Sequence, residues 1–238
     1  QLVKELEPGL NALFGLEYDR YENQTAEIFD SESSDRAFEE EVMLGGFANA
    51  AVKPEGQGVT YDDAQETYTA RYTNETIALA FALTEEAVED NLYDKISTRY
   101  TKALARSMAN TKQVKGSNVL NNSTTGGATA GGDGVALLSA AHPTLSGNQT
   151  NLLGTAADLN ETSLETALIE ISQMKDERGL KIALRGMKMI LPVNLQFVAE
   201  RLLNSAGRVG TADNDINAIK SLGMVPEGYV INNFLVDT

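Results

Sequence analysis

The only imidazole in the chain is His142, in the run Ser139-Ala140-Ala141-His142-Pro143, with a further hydroxyl at Ser146. Histidine beside serine is the material of nucleophilic acyl transfer: the ring takes the hydroxyl proton while a carboxylate orients the ring. Such a serine sits on a sharp turn, and Gly-x-Ser-x-Gly is missing from the sequence. An Ala-His-Pro in a loop reads more simply as a turn, so no catalytic residue is assigned. A hydrolase using His142 with Ser139 or Ser146 is the enzymatic alternative.

Two glycine-rich patterns fail as phosphate cradles. A P-loop needs Lys-Ser/Thr after its last glycine, whereas Gly131 is followed by Gly132-Asp133, whose carboxylate repels phosphate. Gly132-Asp133-Gly134 opens like a dinucleotide fingerprint but reaches Leu137 where glycine is required. Asp213-Asn214-Asp215-Ile216-Asn217 sets oxygens at alternate positions, as a calcium loop does, yet Ala218 and Met224 replace the turn glycine and the bidentate glutamate. An Asx-rich turn is the simpler reading. Without cysteine there is no thiol nucleophile, thiolate zinc site or disulfide. Neither metal nor cofactor is expected.

The 238 residues carry 34 acidic and 19 basic side chains, a net charge of −15. That balance disfavours sequence-independent adhesion to phosphate backbones or anionic lipid, and no basic-aromatic interleaving suggests a nucleic-acid platform. Apolar runs such as 135–138 fall far short of the roughly 20 residues that cross a bilayer, so no membrane partner is expected. Gln1 reads as a processed or trimmed start. Asn-x-Ser/Thr triplets at Asn23, Asn74, Asn122, Asn148 and Asn160 would matter in a secreted chain, which leaves a cell-surface binding module as a third alternative.

The elements that must position these residues follow from periodicity. Residues 1–44 mix acidic and apolar types without a long clean period and read as an arm with short helical pieces, which buries little by itself. Residues 65–73 and 76–83 alternate as two strands of an extended antiparallel element, polar in its near half and apolar in its far half. Thr84 caps a long helix with acids in its first turns and Arg99, Lys102, Arg106, Lys112 and Lys115 later, and Gly116 ends it. Val88, Leu92, Ile96, Tyr100, Leu104 and Met108 form its inward stripe, and the charge run reads as a solvated face. Residues 117–134 are a flexible Gly, Ser, Thr and Asn loop. Beyond it an α/β pattern is predicted: a helix over 161–178 capped by Asn160 and stopped by Gly179, strands at 180–184 and 187–191, a helix opened by Pro192 and closed by Gly207, and strands near 216–220 and 229–236.

An arm, a projecting hairpin, a long spine helix and a terminal α/β region form an order that resembles the tailed-phage major capsid proteins. The run Asp133-Gly134-Val135-Ala136-Leu137-Leu138-Ser139-Ala140-Ala141-His142-Pro143 and the run Gly210-Thr211-Ala212-Asp213-Asn214-Asp215-Ile216-Asn217 are similar to segments of phage major head subunits, including the Mu-like type. The resemblance covers about residues 40–238. It implies an α+β chain of the Hong-Kong-97-type fold, with an N-arm at 1–44, an E-loop hairpin at 45–80, the P-domain spine at 81–116, an A domain at 117–225 and a return strand at 226–238, the C-terminal remainder apparently absent.

It also implies a non-enzymatic shell subunit that assembles with itself into hexamers and pentamers in the host cytoplasm and resides in the virion. Scaffold, portal or decoration proteins are its further partners, and packaged DNA is enclosed without sequence-specific binding. An acidic inner wall that lets DNA slide agrees with the net charge. Inter-subunit contacts fall, by this likeness, on Lys53, Asp62, Asp63 and Arg71 of the hairpin and on Arg208, Asp213 and Asp215 near the capsomer axis. An encapsulin-type compartment shares the fold and stays open as an alternative, and Lys53 lies where some relatives form a covalent link.

Overall fold

The computed structural model describes residues 2–82, 93–127, 130–208 and 215–237. The chain divides into two units, residues 1–33 with 74–118, and residues 34–73 with 119–238. Thr84, Val88, Leu92 and the first acidic turns expected of the long helix lie outside the described residues, as does Asp213.

In the first unit, α1 spans Leu2–Tyr18 and stacks Phe14 on Tyr18 with ring centroids 5.9 Å apart. A 3-10 turn at Gln24–Glu27 follows. The long helix, α2, runs Tyr93–Asn121, 29 residues, or about 43 Å at 1.5 Å per residue. Gly116 does not end it. A Cβ at Gly116 would lie 2.5 Å from Thr25 Cγ2, so this glycine exists to let the 24–28 turn lie against the helix. Gln113, 6 % exposed, locks that contact: its side-chain oxygen accepts the Thr25 amide at 3.2 Å. Its amide group donates to Glu22 O at 3.3 Å and Asn23 Oδ1 at 3.0 Å.

The inward face of α2 also differs from expectation. Ser97, Thr101, Ala105, Ala109, Gln113 and Ser117 are the buried positions, while Tyr100 stays exposed and meets Phe81 edge-on at 5.7 Å. Small side chains win this face because they admit a neighbouring backbone more closely than Leu or Met does. On another face Lys95, Arg99, Lys102 and Arg106 follow one another at i+3 or i+4. Like charges at that spacing cost a helix about 0.2–0.5 kcal/mol per pair.

In the second unit, β1 (Phe38–Gly45) pairs antiparallel with β2 (Gln65–Thr73), with a bulge between Val42 and Leu44. The partner of β2 is thus the upstream segment and not 76–83, whose described residues form no strand. β3 (His142–Thr144) and β4 (Gly147–Gln149) make a tight hairpin whose turn uses Gly147 at φ +116°. α3 (Glu161–Gln173) starts at Asn160, whose side chain accepts the Ser163 amide while Ser163 Oγ accepts the Asn160 amide, a reciprocal cap. The predicted strand at 180–184 is absent because Ala183 takes φ 55°, which breaks an extended run; only Met189–Pro192 forms a strand there, β5.

A 3-10 turn and α4 (Gln196–Asn204) follow β5, and the segment predicted as a strand at 216–220 is instead the short helix α5 (Ala218–Ser221). The chain then returns as β6 (Tyr229–Asn232), parallel to β5. The core lies between these helices and strands: Leu164 and Leu168 of α3, Leu202 and Leu203 of α4 and Ile219 of α5 are buried together, with Met189, Val198 and Tyr229 against them. Asn217 pins α5 to α4, its amide donating to Leu202 O at 2.7 Å and Ser205 O at 3.2 Å.

Candidate assembly surfaces

The β1–β2 hairpin is exposed along most of both strands, and the 46–64 connection leaves Val52, Val59, Tyr61 and Phe47 in solvent, Val52 by 93 % and Tyr61 by 94 %. Its root is fixed in three ways. Tyr68 Oη donates to Pro143 O at 2.7 Å. Gly132 lies so close to β2 that a Cβ there would stand 3.0 Å from the Ala70 nitrogen and 3.1 Å from the Thr69 carbonyl carbon. Asp62 accepts the Ala48 amide at 2.7 Å and an Arg178 guanidinium N–H at 2.6 Å. The Ala48 amide first, then Arg178, hold the Asp62 carboxyl below the usual carboxylate range. The connection is therefore a braced loop and not a free coil.

The other sequence-derived contact residues separate into two groups. Arg71 is engaged across the hairpin: its Nε reaches Glu40 Oε1 at 2.7 Å and its guanidinium lies 4.5 Å from the centre of the Phe38 ring. Arg208 donates to Glu161 Oε2 at 2.8 Å, so its principal acid is at the start of α3, with Asp215 contributing only through the longer-range field. Glu161 and then Asp215 raise the Arg208 pKa. Asp215 faces solvent, and Lys53 and Asp63 are exposed on the 46–64 connection.

His142 has a feature that sequence spacing concealed. Asp133 Oδ2 lies 2.6 Å from its Nδ1, so an orienting carboxylate is present after all. Among the described residues no hydroxyl is paired with the ring: Nε2 is buried without a partner, the Ser139 hydroxyl accepts the Ala141 amide at 3.2 Å, and the hydroxyls of Thr144 and Ser146 face each other at 3.2 Å. Among the described residues no cluster of three His, Asp or Glu is placed to hold a metal ion, and no helix is long and apolar enough to cross a membrane. Neither Gln113 nor the Asp133–His142 pair was singled out for these roles in the sequence. Only the polarity of Gln113 beside Gly116 hints at a lock, since position on a helix does not reveal which face is covered.

Solved structures of similar fold are known. The chain resembles that of the bacteriophage JBD30 procapsid, with a TM-score of 0.64 at 14 % identity, over 98 % of this chain and 99 % of that one. It also resembles the chain in the JBD30 capsid decorated with minor capsid protein trimers, with a TM-score of 0.61 at 14 % identity, over 85 % of this chain and 87 % of that one. A search of the curated proteins gave no match. The phage capsid protein family matches residues 66–237, and this chain belongs to that family. It is a structural subunit of a phage capsid.

Proposed function

We propose that this chain is the major shell subunit of a tailed-phage head, in the Hong-Kong-97-type arrangement, closing as hexamers and pentamers around double-stranded DNA. In this reading residues 1–44 are the N-arm, 45–80 the E-loop hairpin, 81–116 the P-domain spine, 117–225 the A domain and 226–238 the return strand. At the end of α2, Asn121 donates to Phe234 O and accepts the Val236 amide, both at 3.0 Å. Lys53, Asp62, Asp63, Arg71, Arg208, Asp213 and Asp215 are the proposed inter-subunit contacts. The braces already on Asp62, Arg71 and Arg208 mean that each would present its segment to a neighbour in a fixed pose.

The observation that carries the reading is the 46–64 connection. Its two ends are tied together by Asp62, which accepts the Ala48 amide, yet Phe47, Val52, Val59 and Tyr61 are exposed. An isolated monomer gains nothing from that arrangement, whereas a neighbour that covers it gains apolar burial at about 25 cal/mol per Å². Assembly takes place in the host cytoplasm and the product resides in the virion. A scaffold, a portal and a decoration protein are the corresponding partners, the last by analogy with the minor capsid protein trimers on the JBD30 shell.

Negative-stain imaging of the purified chain tests this: closed shells or capsomers are expected, and a monodisperse monomer at high concentration overturns it. An encapsulin-type shell would copurify with an enzyme cargo.

A further inference from the structure

We infer that the basic face of α2 is a contact for the phosphate backbone of double-stranded DNA. This rests on the reading that the assembled shell encloses DNA, and adds to it a defined contact on an otherwise acidic chain. Of the 19 Lys and Arg residues, six lie in α2, with one acidic residue among them. Lys95, Arg99, Lys102 and Arg106 are all exposed. At 100° per residue they fall within a sector of about 60° and extend over about 16 Å of helix. None has Asp or Glu at i±3 or i±4.

Lys102 has Glu17 at 3.9 Å, while Lys95, Arg99 and Arg106 have no acidic partner among the described residues. Lys112 and Lys115 point elsewhere, and Lys115 pairs with Glu75. The stripe ends in an open recess of about 550 Å³ lined by Tyr21, Lys102, Ala103, Arg106, Ser107 and Asn110. Arg and Lys with Ser, Asn and Tyr side chains are the groups that bind phosphate oxygens, and no carboxylate lines this recess.

Charge complementarity selects the occupant. The face holds no large apolar anchor among its four cations, as the centre of a protein interface would. The chain's net charge of −15 does not forbid the contact, because salt screens charges farther off than about 10 Å while adjacent cations act directly. Three or four phosphates neutralised in this way bind weakly and without sequence preference, and the contact loosens as salt rises.

The test is fluorescence anisotropy of a labelled 30-base-pair duplex titrated with the unassembled full chain between roughly 50 and 200 mM NaCl. Three to four contacts give a slope of log K on log salt of about −3. R99Q/R106Q reduces that slope by about two and weakens binding at low salt, whereas K112Q/K181Q, which removes the same charge elsewhere, leaves the slope unchanged. If the double variant does not fold, K95Q alone lowers the slope by about one.

The inference fails if the native chain shows no salt-dependent binding, or if both double variants lose binding equally. It also fails if R99Q/R106Q blocks shell closure while DNA affinity persists, which marks the stripe as a seat for an acidic protein segment. Closed shells from a chain without duplex affinity reject this inference alone. Failure to form shells under any condition rejects the reading beneath it as well.

Discussion

Replacing Gly116 by alanine sets two effects of known size against each other. In the middle of a helix the change favours folding by about 1 kcal/mol, because glycine carries the larger backbone entropy. Here, however, the new methyl would stand 2.5 Å from Thr25 Cγ2 and 3.2 Å from Thr25 Cβ. Carbon atoms rest at about 3.5–4.0 Å, so the 24–28 turn must retreat by about 1 Å. That retreat stretches the 3.2 Å bond from the Thr25 amide to Gln113 past hydrogen-bond range and strands a buried side-chain amide.

A stranded buried polar group costs about 1–3 kcal/mol, and the packing of Thr25 and Phe29 is lost with it. The net effect is a docking equilibrium of the 19–33 segment weakened by about 1–2 kcal/mol, a factor of roughly 5–30. Chymotrypsin cleavage at Phe29, which reports that opening, should accelerate by the same factor while far-ultraviolet circular dichroism shows no loss of helix. Unchanged cleavage together with a raised melting temperature would refute the close-approach explanation for this glycine.

The Asp62 brace titrates. Its carboxyl is depressed in the folded chain, so the stabilisation is complete above the unfolded-state pKa and disappears as pH falls through the lower folded value. Protection of the Ala48 amide, measured as its hydrogen exchange relative to the intrinsic rate at the same pH, should therefore hold near neutrality and decline as the pH falls through the folded-state value, and Asp62→Asn should lower that protection near neutrality and remove its pH dependence. Asn160→Ala removes the reciprocal cap of α3 and should lower stability by about 1 kcal/mol, or roughly 2–4 °C in Tm, read by calorimetry. Leu168→Ala opens a cavity in the core beside Leu164 and Leu202 and should cost about 2–5 kcal/mol by urea unfolding; a loss below 1 kcal/mol contradicts the core assignment.

What the sequence made legible was local chemistry. Asn160 before a 3.6-residue apolar period announced α3, and the tyrosine alternation announced β2. What it concealed depends on approach between distant segments. β1 carries Glu39, Glu40 and Glu41 and is exposed along most of its length, so it has no inside-outside alternation, and only pairing with β2 makes it a strand. Residues 76–82 alternate well yet have no strand beside them among the described residues. Gly116 carried the signature of a stop but serves as a point of contact for Thr25.

The candidate contacts show the same division. Arg208 stands in the sequence at the head of the 208–217 loop beside Asp213 and Asp215, but its partner Glu161 lies 47 positions away. Likewise Asp62 and Arg178 are 116 positions apart, a separation no motif encodes. The pairing of His142 with Asp133 was within reach, nine positions away, yet only folding brings Nδ1 to the carboxylate. The basic stripe is a converse case. Its spacing was visible, but only the placement of Glu17 beside Lys102 distinguishes that cation from Lys95, Arg99 and Arg106, which have no acidic partner among the described residues.

The central claim is that apolar side chains left uncovered by one copy are covered by others. A cryo-electron-microscopy reconstruction of the assembled particle measures this directly at the 46–64 connection. The account predicts Val52 and Tyr61 buried against a neighbouring copy, with the Asp62–Arg178 brace intact inside each subunit. A closed shell in which both side chains remain in solvent would contradict it.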